Sequence, residues 1–318
     1  MIARRVRFLI LRGGALGDFI VTLPALRLIR DRWPDAHITL IGYPYIAQLA
    51  LEDGLVDELE SLDKAGIATF FASRPLFTPE QVDFVRSFDL VFSWLHDRNG
   101  TVENNLKLAG AKQVLYGSPL IPDDTHAVDH LIKPLENLAL YEHEAVPRLH
   151  ISAKTRAWGE SFLAARHLNR PVWAIHPGSG SAQKNWPIDR YLELYRLLSR
   201  EGTGTALWLF GEADQSVCEA VSAHVPDAQM ARALSLSELA GVLVACQGYL
   251  GNDSGVSHLA AALGLPVVTL FGPSDPRQWG PRGERVHIER APAGALADLS
   301  VPAVLEACVR MWGMSGSI

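Results

Sequence analysis

Three glycine-rich turns carry most of the chemistry this sequence can do, and each follows a run of apolar residues. The first is Arg12-Gly13-Gly14-Ala15-Leu16-Gly17-Asp18. Its glycines let the backbone approach a ligand closely. The spacing is not that of a P-loop, because no Gly-Lys-Ser/Thr follows, nor that of the G-x-G-x-x-G dinucleotide fingerprint. Asp18 is the informative residue, because a carboxylate at a helix start would repel a phosphate bound there. It reads either as a first-turn acid, worth ~1 kcal/mol to the helix, or as a general base acting on a neutral group. The second turn, His176-Pro177-Gly178-Ser179-Gly180-Ser181-Ala182-Gln183-Lys184-Asn185-Trp186-Pro187, offers N–H groups, hydroxyls and the point charge of Lys184. It suits a phosphate, or else is a flexible loop with a solvated lysine. The third, Gly251-Asn252-Asp253-Ser254-Gly255-Val256-Ser257-His258, opens a helix and is either an anion site or an ordinary cap. Asp253 could accept from sugar hydroxyls, and His258 either donates to a phosphate or is packed. Glu212, in the Gly211-Glu212 pair that follows Leu207-Trp208-Leu209-Phe210, sits where an acid can hold both hydroxyls of a ribose, although an exposed glutamate is the default.

Other candidates are weaker. Asp123-Asp124-Thr125-His126-Ala127-Val128-Asp129-His130 places two histidines at i, i+4, but without a zinc-helix pattern it reads as a capped helix start, and no metal is expected. Arg27, Arg30 and Arg32 form either a solvated face or a lure for an anionic acceptor. Trp279 lies in a loop and either packs or lines a ligand site, whereas Trp94, Trp173 and Trp208 lie in strand-like runs and belong to the core.

The elements that must position these residues follow a βαβ rhythm. Strands are expected at 6–11, 37–41, 89–94, 171–176, 205–210, 248–251 and 266–271. Helices are expected at 18–32, 104–109, 128–140, 154–167, 189–200, 236–245 and 256–263. The pattern restarts after the polar stretch 141–152, which predicts two domains, 1–150 and 151–318, with the final helix free to return to the first. The chain has 318 residues, 48% of them apolar and 20% charged, enough to bury a core in each half. Lys plus Arg is 29 against 35 Asp plus Glu, a net charge of −6, which argues against a nucleic-acid partner. Three scattered cysteines, Cys218, Cys246 and Cys308, fit buried thiols in a reducing compartment. The run Phe8–Leu11, closed by Arg12, is too short for a signal peptide, and the run 259–271 is too short to span a bilayer. A cytoplasmic protein is expected.

Taken together, the turns resemble glycosyltransferase family 9, the ADP-heptose:lipopolysaccharide heptosyltransferases. Leu11-Arg12-Gly13-Gly14-Ala15-Leu16-Gly17-Asp18 with Thr22-Leu23-Pro24-Ala25-Leu26 resembles the family's opening. His176-Pro177-Gly178-Ser179 with Lys184-Asn185-Trp186-Pro187 resembles its second block. The stretch 251–264, followed by Leu270-Phe271-Gly272-Pro273-Ser274-Asp275-Pro276, resembles its third. Gly13-Gly14 departs from the serine-containing version of several members. The resemblance implies an α/β fold of GT-B type, with two Rossmann-like parallel-sheet domains facing across a cleft. It implies an inverting, metal-independent transfer of a heptose from ADP-heptose to a lipopolysaccharide inner-core acceptor, with no cofactor. Asp18 would be the base, and Lys184 and Ser179 would lie at the donor phosphates. Glu212 would bind the ribose, Leu234 would lie where backbone groups read the adenine, and Asp253 would lie near the sugar. Ser254, Gly255 and His258 would form the phosphate-side loop. A glycolipid acceptor would bring a monomeric enzyme transiently to the inner face of the membrane. A nucleotide-sugar 2-epimerase of the same architecture and a non-catalytic nucleotide-sugar-binding protein are the alternatives.

Overall fold

The computed structural model describes residues 5–200 and 204–314. The chain divides into two compact units between Ala145 and Val146. In the first unit, five parallel strands, β1 (Arg7–Arg12), β2 (His37–Gly42), β3 (Glu58–Ser61), β4 (Leu90–Trp94) and β5 (Val114–Tyr116), lie in the order β3-β2-β1-β4-β5. β1 is central and pairs with β2 and β4 along its length. Its Leu9 and Ile10 are fully buried, which is why it reads as a continuous apolar run rather than an alternating one. The edge strand β3 is polar by contrast, Glu-Leu-Glu-Ser. Trp94 at the end of β4 is buried, stacks on Phe92 and donates from its indole to Leu131 O at 3.1 Å.

The sequence predicts one helix over 18–32, and the structure has two, Leu16–Ile20 and Leu23–Arg32. Pro24 is the cause. It has no N–H to donate and its ring excludes the carbonyl four residues back, so it is tolerated only in a first turn. The interruption is filled by side chains. Thr22 Oγ1 donates to Asp18 O at 2.8 Å, and Arg12 donates to the same carbonyl through Nη2 at 2.5 Å and to Thr22 Oγ1 through Nε at 2.8 Å. The helix expected over 128–140 likewise ends at Ile132 and continues as a 3-10 helix, Lys133–Leu138, with Pro134 in its first turn.

The second unit holds six parallel strands: β6 (Val172–His176), β7 (Thr205–Phe210), β8 (Gln229–Arg232), β9 (Gly248–Asn252), β10 (Val267–Phe271) and β11 (Val286–Arg290). Their order is β11-β10-β9-β6-β7-β8. The last helix, Val301–Trp312, buries Val304, Ala307, Cys308 and Trp312 in the core of this unit, and Trp312 stacks on Trp173 with ring centroids 4.5 Å apart. All three cysteines are buried thiols. No helix among the described residues is long and apolar enough to cross a membrane.

One helix pair in this unit packs backbone on backbone. Helix Ala153–Ala164 meets helix Leu236–Ala245 at Gly159 and Gly241, where a Cβ on Gly159 would lie 2.0 Å from Gly241 O. Gly159→Ala must force the helices apart. Alanine gains roughly 1 kcal/mol of helix propensity, but the overlap should outweigh it and leave a net loss of about 1–3 kcal/mol. Urea unfolding measures this, and a variant as stable as the parent would show that the contact gives way freely.

Candidate functional site

Loops leaving the carboxyl ends of parallel strands share one edge of the sheet, and that edge is where such folds bind ligands. In the second unit the candidate residues leave four adjacent strands. Asp253, Ser254, Gly255 and His258 follow β9, Ser179 and Lys184 follow β6, Glu212 follows β7, and Leu234 follows β8. With strands about 4.8 Å apart, the row spans roughly 14 Å. It is ordered β9-β6-β7-β8, so residues far apart in the chain line up as neighbours.

Two members of the row touch. Lys184 Nζ lies 2.7 Å from Asp253 Oδ2, with the aspartate side chain 8% exposed and the lysine 38%. Asp253 is held from behind by its own N–H, which donates to Leu270 O at 2.9 Å. Its neighbour Asn252, fully buried at the end of β9, makes a dense set of bonds. The Oδ1 of Asn252 accepts from Trp186 N–H at 3.1 Å and from the Tyr191 hydroxyl at 3.0 Å, and its Nδ2 donates to Pro177 O at 2.8 Å.

Beyond Asp253 the helix Gly255–Ala262 begins. Ser254 is its N-cap and accepts from Ser257 N–H, while the Ser257 and His258 N–H groups turn back to Ser254 O. The N–H groups of Gly255 and Val256 have no partner among the described residues. Unsatisfied amides at a helix N-terminus form a positive patch suited to an anion. The turn is braced from below, where the Ser257 hydroxyl donates to Asn252 O at 2.5 Å and meets the hydroxyl of fully buried Tyr249 at 3.1 Å. Burial pushes the Tyr249 phenol far above its usual range, so it stays a neutral prop. His258 is buried inside the helix.

The remaining members are less committed. Ser179 Oγ is engaged within its own loop, donating to Ser181 O at 2.7 Å and accepting from Ser181 N–H at 3.2 Å. Glu212 is exposed, and Leu234 is half-buried just before the Ser235–Glu238 capping box. Two buried residues here were not singled out as functional from the sequence. Asp214 Oδ2 accepts from Gly211 N–H at 2.7 Å and meets His176 Nε2 at 3.1 Å, and a Cβ on Gly178 would lie 1.8 Å from Asp214 Oδ1. This pair ties the turn after β7 to the end of β6. Its only sequence signal is polar residues at strand ends beside glycines.

Asp18 belongs to the first unit. Its Oδ2 accepts from Ala15 N–H at 2.9 Å, so one oxygen fulfils the capping role, and Oδ1 accepts no hydrogen bond among the described residues. Gly14 has φ +94°, and a Cβ there would lie 2.9 Å from Asp18 Oδ2, so the turn must be glycine for the carboxylate to sit where it does. Beneath it lies Arg12, 4% exposed, which opens the same turn and whose own role its spacing does not reveal. Burial pulls the Arg12 guanidinium down to about 10, against the upward pull of the Asp18 charge. Arg27 and Arg30 are engaged with Asp53 at 2.6 Å and Asp57 at 2.7 Å. His126 Nδ1 caps its own helix by accepting from Val128 N–H, and His130 Nε2 meets Ser118 O. Trp279 is half-buried.

Asp214 also predicts an acid response. Burial raises its carboxyl, but the His176 hydrogen bond and charge and the Gly211 N–H bring the net value below the ordinary 3.8. A depressed carboxylate stabilises the fold above its unfolded value, and that stability disappears as pH falls through the folded value. Asp214→Asn should therefore cost about 1–3 kcal/mol at pH 7 and flatten the loss of stability below the carboxylate range. Unfolding measured down the pH scale tests this, and a variant losing stability with acid as steeply as the parent would contradict it.

Residues 115–308 match the family model of glycosyltransferase family 9 (heptosyltransferase). Lipopolysaccharide heptosyltransferase 1 of Escherichia coli K12 is 32% identical over 95% of this chain and 98% of its own length. Lipooligosaccharide heptosyltransferase 2 of Haemophilus influenzae is 32% identical over 40% of this chain and only 38% of its own length. Among solved structures, E. coli ADP-heptose LPS heptosyltransferase II shares the fold with a TM-score of 0.78 over 96% of this chain and 98% of that one, at 19% identity. The two parallel-sheet units are thus those of a GT-B fold, and the chain belongs to glycosyltransferase family 9 and is a glycosyltransferase.

Proposed function

We propose that this enzyme transfers a heptose from ADP-heptose to a hydroxyl of a lipopolysaccharide inner-core acceptor, inverting the anomeric carbon and using no metal ion. The observation that carries the donor half is the row along the second sheet. A carboxylate beside a lysine, an open helix N-terminus, a Gly/Ser loop, an exposed acid and a loop before a capped helix follow one another over four strands. A nucleotide sugar has the same order of needs: sugar, diphosphate, ribose, base. Asp253 would meet the heptose, and Lys184, Ser179, Ser254 and the Gly255 amide the diphosphate. His258 would lend polarity from within the helix. Glu212 would hold the ribose hydroxyls, and the backbone around Leu234 would read the adenine. The relatives named for heptose transfer, one of them from ADP-heptose, support the choice of sugar and base.

The chemistry is one displacement. Asp18 takes the proton of the acceptor hydroxyl through its uncommitted Oδ1 as that oxygen bonds to the anomeric carbon. The bond from that carbon to the diphosphate oxygen breaks on the opposite face, and its electron pair leaves with ADP. A single backside attack inverts the centre. Charge gathering on ADP meets groups already in place, Lys184 and the Gly255 and Val256 N–H groups, which need no reorganisation in the transition state. A fixed ammonium with helix amides can supply what a bound cation otherwise would.

A donor of this kind aimed at developing charge contributes ~3–4 kcal/mol, so Lys184→Ala should lose about 100-fold or more in turnover. Asp18→Asn should release no ADP in the presence of acceptor while still binding ADP, and turnover at the parent rate would exclude it as base. Activity should survive a chelator, and activity lost in chelator and restored by a divalent ion would contradict the metal-free assignment. The deciding assay follows ADP release from ADP-heptose with and without lipopolysaccharide core acceptors. Release only with acceptor is expected. Donor conversion without acceptor would indicate an epimerase, and binding without any turnover a non-catalytic protein.

A further inference from the structure

Lys184 lies on a loop, not on a strand or a long helix, and a loop lysine is a poor preorganised charge unless something immobilises it. The structure shows what does. Loop 177–186 is gripped at both ends by the carboxamide of Asn252. At its entry, Asn252 Nδ2 donates to Pro177 O at 2.8 Å and approaches Gly178 O at 3.4 Å. At its exit, next to Lys184, Nδ2 lies 3.4 Å from Asn185 Oδ1, and Oδ1 accepts from Trp186 N–H at 3.1 Å. Tyr191 donates to the same oxygen at 3.0 Å. Carbonyls can only accept and an amide N–H can only donate, so the carboxamide has one orientation and every partner is satisfied. Asn252 is the last residue of β9, so the residue after it is Asp253, the partner of Lys184.

We infer that Asn252 is a positioning residue of the transfer reaction: it fixes both ends of the Lys184 loop to the strand that carries Asp253, and so holds the ammonium where the donor diphosphate binds. It touches no substrate itself, because it is fully buried. The inference rests on the donor reading given above. The side chain has few substitutes. Aspartate has the same shape but turns a carboxylate oxygen toward Pro177 O, and alanine leaves buried backbone groups unpaired, a cost that falls on the loop.

A double-mutant cycle separates positioning from general stability. ADP affinity is measured by calorimetry for the parent, Asn252→Ala, Lys184→Ala and the double variant, with melting curves confirming that each is folded. Asn252→Ala and Asn252→Asp should each weaken ADP about tenfold or more. In the Lys184→Ala background, Asn252→Ala should change affinity by less than about twofold, because its effect runs through the lysine. A purely structural residue would cost the same in both backgrounds. Equal losses in both, or parent-like affinity in Asn252→Ala, overturns the inference while leaving the donor reading intact. A parent protein that does not bind ADP takes down both. Should Asn252→Ala fail to fold, Asn252→Ser, which keeps a hydroxyl for one of the bonds, completes the same cycle.

Discussion

The end of β9 ties the loop after β6 to the start of the helix that follows it, and the ion pair of Lys184 with Asp253 lies at that junction. Lys184 and Asp253 form an ion pair at a partly exposed site, and such a pair contributes little stability of its own. On the proposed reading its value lies in position. Catalytic electrostatics work when dipoles and charges are aimed before the reaction begins, so that none of the transition-state stabilisation is spent on reorganising them. The surrounding residues would serve that end. Asn252, Ser257, Tyr249 and Thr269 are buried polar residues in one small region. Burying them is unfavourable unless each is bonded. They are bonded to one another and to the loop and helix that carry the charge.

The first unit solves a different problem, the placement of a carboxylate. Asp18 is fixed from two sides. Gly14, in a conformation other residues resist, lets Ala15 N–H reach one oxygen. Pro24 interrupts the helix, and Arg12 and Thr22 converge on the Asp18 carbonyl. A buried guanidinium is costly unless its donors are satisfied, and here they meet two carbonyls and a hydroxyl. The cap takes one oxygen of Asp18 and leaves the other, so it is compatible with the proposed role as base.

The strands were the most legible part of the sequence. Parallel strands covered on both faces are unbroken apolar runs, and Val172–His176, Thr205–Phe210 and Val267–Phe271 lie within a residue of where those runs predict them. Helix interruptions were less legible. Pro24 and Pro134 stand inside amphipathic patterns that look continuous, and the effect of each falls on a carbonyl four residues earlier. Within the site, residues in glycine-rich turns announced themselves by composition. The roles of Asn252 and Asp214 were not legible there, because their partners lie as far as 75 residues away for Asn252 and 38 for Asp214. No local spacing encodes such a contact. It arises only once the strand order β9-β6-β7 makes those loops neighbours.

The most direct measurement is an experimental structure of the protein with ADP-heptose, prepared in chelator. A diphosphate oxygen should lie within hydrogen-bond distance, about 2.7–3.2 Å, of both Lys184 Nζ and the Gly255 N–H. Density for the diphosphate elsewhere on the molecule, or at this edge with Lys184 turned away from it, would contradict that placement.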